Sequence, residues 1–200
     1  MAKPRVEREP IVERMITLSD ALVAIAMTLL VLSIEVPDVS GSDLGSALAD
    51  LWPNFFAWLL SFVILAVLWY AQHTSLVELE SAGGRVLMIN FVFLAAISVI
   101  PFTSQLLGEY GSQGLATAIY AGNIALATLA LFVLDWVAEL GGHHVESADP
   151  TEPIAEIVPT AVFVISIPVA LFVSAEIAQY SWISIVVLHP LVGWLEARRS

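Results

Sequence analysis

Six stretches dominated by apolar side chains divide this chain, at about 15–36, 55–72, 86–107, 115–137, 157–178 and 181–195. A helix needs about 20 mostly apolar residues to cross the hydrocarbon core of a bilayer, where every backbone N–H and C=O must be satisfied within the segment. The pattern predicts an all-α integral membrane bundle of six transmembrane helices, forming one domain over 1–200. The sixth stretch is short and holds His189-Pro190, which predicts a kink or a place inside the bundle. The residues are 58% hydrophobic and 13% charged, whereas soluble domains run at about 45–50% and about 25%. The apolar runs occupy most of the length, which leaves no room for a soluble catalytic module.

The basic residues set the expected orientation. Lys3, Arg5, Arg8 and Arg14 precede the first run, Arg85 lies between the second and third, and Arg198 and Arg199 follow the sixth. With an even number of spans all seven fall on one side. This predicts a multi-pass protein of the cell membrane with both termini in the cytoplasm. The first run is followed by Glu35-Val-Pro-Asp38 and not by a small-residue cleavage site, so it reads as a retained span. The loop 139–156 is acidic and carries His143 and His144 on the same side. Two adjacent histidines in a glycine-rich loop are a weak basis for a metal or pH-sensing site, and no metal is assigned. No internal repeat or inverted symmetry is visible, which argues against a repeat-built transporter.

Several polar residues lie where lipid would be costly. Around the first helix, at about 100° per residue, Leu18, Leu22, Ile25, Leu29 and Leu32 form one stripe, with Thr28 at its flank. Asp20 lies on the other side, near Ala24 and Met27. It serves either as a shallow charge near the positive end of the helix dipole or as a member of a polar cluster with Ser19, His73 and Asn90, which the topology places on the same side of the membrane. Asp and His chains also relay protons in pumps, so a proton pathway through Asp20 and His73 stays open. Trp52, Trp58, Trp69, Trp136, Trp182 and Trp194 mostly lie near span ends and read as interfacial anchors.

Other classes are excluded by absence. The chain has no cysteine, no glycine-rich phosphate loop and no nucleophile in an activating motif, so neither an enzyme nor a resident cofactor is expected. A formal net charge of -12 is unsuited to a nucleic-acid partner. There is no Thr-Val-Gly-Tyr-Gly filter and no arginine-rich voltage sensor.

Arg14-x-x-x-Leu18-Ser19-Asp20, followed by Ala21-Leu22-x-x-Ile25-x-x-Thr28-Leu29, resembles the Arg-x-x-x-Phe-Ser-Asp signature of the transmembrane protein 175 family of endo-lysosomal potassium channels and their prokaryotic homologues. Trp69-x-x-x-His73 and Leu87-x-x-Asn90 running to Pro101-Phe102-Thr103 fit the same family. Leu18 replaces the usual Phe. The resemblance implies a homotetramer in the lipid bilayer that passes monovalent cations, with potassium as the permeant ion. It implies a central pore lined by the first helix, with Ile25, Leu29 and Leu32 at an apolar constriction and Thr28 at a selectivity position. Arg14, Ser19, Asp20, His73 and Asn90 match the polar network that holds helices and subunits in place. A proton-coupled transporter using Asp20 and His73, and a non-conducting scaffold, are the competing expectations.

Overall fold

The computed structural model describes residues 9–143 and 153–182. Its regular elements are all helical: α1 (Pro10–Leu29), extended by a 3-10 turn over Leu30–Ser33, α2 (Leu44–Asp50), α3 (Trp52–Val77), α4 (Gly84–Tyr110), α5 (Gly114–Leu140) and α6 (Pro153–Phe172). Residues 175–182 are helical again. Among the described residues four segments are long and apolar enough to cross a membrane: Pro10–Ser33, Trp52–Val77, Gly84–Tyr110 and Gly114–Leu140. The helices run beyond the apolar windows. α1 opens on Pro10, whose missing N–H costs nothing in a first turn. α3 continues through the polar run Gln72-His73-Thr74-Ser75, so those side chains project from a rigid helix and not from a loop.

The expected span 157–178 is corrected by the structure. Its helix stops at Phe172, and a break at 173–174 separates it from the next helical segment. The Val169 carbonyl accepts from the amides of both Val173 (2.9 Å) and Ser174 (3.0 Å), which closes the turn. Ser174 Oγ then accepts the Ile177 amide (3.4 Å) and donates to Glu176 (2.8 Å), opening a new helix in the manner of an N-cap. Of the expected sixth span only 181–182 falls within the described residues. Trp182 is no interfacial anchor. It is fully buried and stacks at a tilt on Tyr120 (5.3 Å between centroids) and Phe163 (5.6 Å). Trp194 lies outside the described residues.

One apolar core runs along the bundle, from Val23, Ala26 and Leu30 of α1 through Leu65 and Leu68 of α3 to Phe93 and Ile97 of α4 and Ile124 of α5. A second closes the end that holds the helix α1 start, with Val12, Met15, Leu76, Leu79, Val86 and Leu134. Helix α1 packs on α3 and α4, while α5 packs on α4 and α6. At the α5–α6 crossing Gly114 is required, because a Cβ there would collide with the Ala170 carbonyl.

Candidate functional site

Helix α1 has two faces with different chemistry. Val12, Met15, Ser19, Val23, Ala26 and Leu30 are buried at spacings of three or four, the period of one helical stripe. On the opposite side Leu18 (44%), Ile25 (59%), Leu29 (44%) and Leu32 (71%) are exposed. Leu22 departs from the expected stripe. It lies at the stripe's edge and packs against the main core together with Met27. Thr28 is exposed beside Ile25, and its hydroxyl donates to the Ile25 carbonyl at 2.8 Å. With its proton committed to the backbone, Thr28 Oγ1 offers only lone pairs to whatever lies outside.

The buried face carries a polar triad. Gln72 of α3 donates through Nε2 to Ser19 Oγ on α1 (2.9 Å) and to Asn90 Oδ1 on α4 (2.7 Å). Asn90 Nδ2 also reaches Ser19 Oγ, at 3.5 Å. All three residues are essentially inaccessible. Gln72 Oε1 is left without a partner among the described residues. Of the expected cluster of Asp20, Ser19, His73 and Asn90, Ser19 and Asn90 meet here, with Gln72, which sequence reading passed over, at the centre. The signal was there: Leu65, Leu68, Gln72 and Leu76 fall on one stripe of α3, and a polar side chain at a core position must find partners.

A second cluster lies at the edge of the same contact. Trp69 Nε1 donates to Asp20 Oδ1 at 2.8 Å, and His73 Nδ1 lies 3.5 Å from the same oxygen. Trp69 and His73 are four residues apart on α3, with ring centroids 5.4 Å apart. Asp20 and His73 are partly exposed, so this cluster borders the surface while the triad is sealed. Asp20 joins neither Ser19's triad nor Asn90. Arg14 joins neither cluster. It is exposed, and among the described residues it makes no ion pair or hydrogen bond. The reason is angular. Five residues place Arg14 about 140° from Ser19, whereas eleven place it within about 20° of Ile25. A further carboxylate sits in the fourth span, where Ser75 of α3 donates to Asp135 of α5.

The remaining candidates stand apart. His143 Nδ1 pairs with Ser81 Oγ at 2.8 Å, the His143 carbonyl accepts the Glu80 amide (2.9 Å), and the Glu80 carbonyl accepts the Glu9 amide (2.9 Å). The loop is thereby tied to the start of α1. His144 lies outside the described residues. Among the described residues no group of three or more His, Asp or Glu side chains could hold a metal ion. Glu35 and Asp38 are exposed, and Asp43 is engaged by Ser40 (2.7 Å).

The family model described as "Endosomal/lysosomal potassium channel TMEM175" matches residues 14–101, a stretch that holds both polar clusters and the exposed face of α1 from Leu18 to Leu32. The fold matches the crystal structure of a lysosomal potassium-selective channel TMEM175 homolog from Chamaesiphon minutus, with a TM-score of 0.80 and 25% identity over 92% of this chain and 98% of that one. Over residues 14–101 the chain is similar to the TMEM175 family. Its relatives include a potassium channel from Streptomyces collinus, 29% identical over 62% of this chain and 63% of that protein. A potassium channel from Chamaesiphon minutus is 36% identical over 59% of this chain and 61% of that protein. The human protein, named an endosomal/lysosomal proton channel, is 32% identical over 50% of this chain and 22% of its own length. The matches to the two bacterial relatives thus span less than two thirds of those proteins. The likeness to this family and the four long apolar helices fit a multi-pass membrane protein.

Proposed function

We propose that the chain is a potassium-selective leak channel of the cell membrane. Four copies surround a central pore, six helices cross the membrane in each, and both termini face the cytoplasm. The observation that carries this reading is the two-faced α1: one face is fastened to α3 and α4 by hydrogen bonds, and the other leaves Ile25, Leu29 and Leu32 exposed among the described residues. The channel names of the relatives and the fold likeness to a potassium-selective homolog support it.

A ring of Ile25, backed by Leu29 and Leu32, supplies no oxygen ligands, so it restricts flow by width and by dewetting. A cation entering it must shed part of its water shell, and potassium holds its shell more loosely than sodium. A ring of Thr28 oxygens, each with its proton tied to the Ile25 carbonyl, presents lone pairs that replace some of that water. Exposed Glu35 and Asp38 at the far end of α1 concentrate cations at the mouth. A proton relay through Asp20 and His73 is less favoured, because Asp20 Oδ1 already accepts the Trp69 N–H and both lie toward α3, off the Ile25 line.

The deciding experiment is flux in liposomes holding the purified protein under potassium, sodium and proton gradients. The expected result is a potassium current that reverses near the potassium equilibrium potential. Saturable, substrate-stimulated proton flux would replace this reading with a transporter, and no flux would leave a scaffold.

A further inference from the structure

We propose that Gln72 is a positioning residue that fixes the rotation of α1 about its own axis and thereby sets potassium over sodium selectivity. The inference rests on the reading of α1 as the pore-lining helix.

The argument starts from what can orient a helix in lipid. Apolar packing drives folding in water, but in a bilayer the alternative neighbour, a lipid tail, is as apolar as leucine. Val23, Ala26 and Leu30 fill space against α3 and α4, yet their attraction has little direction. Hydrogen bonds are directional. Among the described residues, α1 buries two polar side chains, Ser19 and Ser33. Ser33 spends its hydroxyl on the Leu30 carbonyl of its own helix (2.7 Å), and the exposed Thr17 and Thr28 likewise bond within α1. Ser19 is therefore the buried side chain through which α1 is bonded to other helices, and its shorter bond, at 2.9 Å, comes from Gln72. The same Gln72 nitrogen holds Asn90 at 2.7 Å, so one amide references α1 to two helices at once. The half-exposed Asp20–Trp69 bond lies at the rim of the contact and does not reach α4.

The lever arm is short. Ser19 precedes Ile25 by six residues, about 9 Å along the axis. Rotating α1 by about 20° swings a side-chain tip at a radius of about 6 Å by about 2 Å. At a constriction whose function depends on width, such a displacement changes which ion pays least to pass. It also turns Thr28 toward or away from the axis together with Ile25.

The test uses the full-length protein in liposomes, with the potassium over sodium permeability ratio read from reversal potentials, and oligomer elution and thermal midpoint measured in parallel. Gln72→Leu keeps the bulk and removes both bonds. Ser19→Ala removes the α1 acceptor alone and leaves Gln72 bonded to Asn90. Ser61→Ala is the control: Ser61 also joins α3 to α4 and α5, through Ser104 (2.8 Å) and Tyr120 (3.0 Å), but does not touch α1. Gln72→Leu and Ser19→Ala are expected to fold and to lower the ratio about threefold or more, the change that losing one net hydrogen bond implies. Ser61→Ala is expected to lower the thermal midpoint with the ratio unchanged. An unchanged ratio in folded Gln72→Leu and Ser19→Ala overturns the proposal, as does an equal fall in Ser61→Ala. Should Gln72→Leu fail to fold, Ser19→Ala decides. Absence of potassium current in the unmodified protein instead defeats the channel reading, and this proposal with it.

Discussion

Trp69 reaches across from α3 to α1 and donates its indole N–H to the Asp20 carboxylate at 2.8 Å. The bond ties a carboxylate of α1 to a ring which, by position alone, reads as an interfacial anchor. Trp69→Phe keeps the ring and removes the donor, leaving Asp20 with His73 at 3.5 Å. Because Asp20 is partly exposed, the expected loss is modest, about 0.5–1.5 kcal/mol. A lowered thermal midpoint in detergent checks it, and a Trp69→Phe protein as stable as the parent would show that the bond contributes nothing net.

Ile25 and Leu22 lie three residues apart on α1 and face different surroundings. Ile25→Asn should raise conductance and erode potassium selectivity, since an amide ring wets the constriction and adds oxygen ligands. Leu22→Asn should instead place an amide against the main core and destabilise the fold by about 1–3 kcal/mol with no gain in conductance. Single-channel recording and thermal unfolding of both variants separate the two faces. Unchanged currents in Ile25→Asn would remove Ile25 from the constriction.

The sequence carried the helical class, the first four spans and the two faces of α1, because apolar periodicity and run length are direct consequences of the bilayer. Gln72 carries no charge and sits in the polar run at the end of its span, so it stands out little, although its spacing from Leu65, Leu68 and Leu76 marks a core position. The motif sets Arg14 beside Ser19 in sequence, whereas a five-residue separation turns it to the other side of the helix within one chain. The break after Phe172 was invisible to a hydropathy window, which sums apolarity and is blind to the cap that Ser174 provides. What faces Ile25 is not legible at all from one chain, because lipid and an apolar pore select the same side chains.

Gly114→Ala tests the α5–α6 crossing. The added methyl would meet the Ala170 carbonyl, a backbone atom that cannot rotate away, so the helices must part. The expected cost is about 1–3 kcal/mol. Gly45→Ala in α2, where a Cβ would meet nothing within 4 Å, is the matched control and should be neutral or slightly stabilising. Equal thermal midpoints for the two variants would mean that α6 does not seat on α5 as closely as described.

Phe93 and Phe91 separate packing from apolarity within one turn of α4. Phe93 is fully buried in the main core, while Phe91 is 46% exposed. In water both truncations would forfeit transfer energy, but in a bilayer the unfolded reference for each is also apolar, so exposure to lipid is no penalty and burial against protein is no automatic gain. What remains for Phe93→Ala is the cavity, whose walls lose their contacts and cannot collapse onto it. The expected loss is about 3 kcal/mol, the lower part of the range for such truncations in soluble cores. Phe91→Ala leaves a notch that a lipid tail fills, and should change stability by less than about 0.5 kcal/mol. Reversible unfolding in bicelles reads both. If Phe91→Ala proves as costly as Phe93→Ala, then that face of α4 is covered by protein and not by lipid.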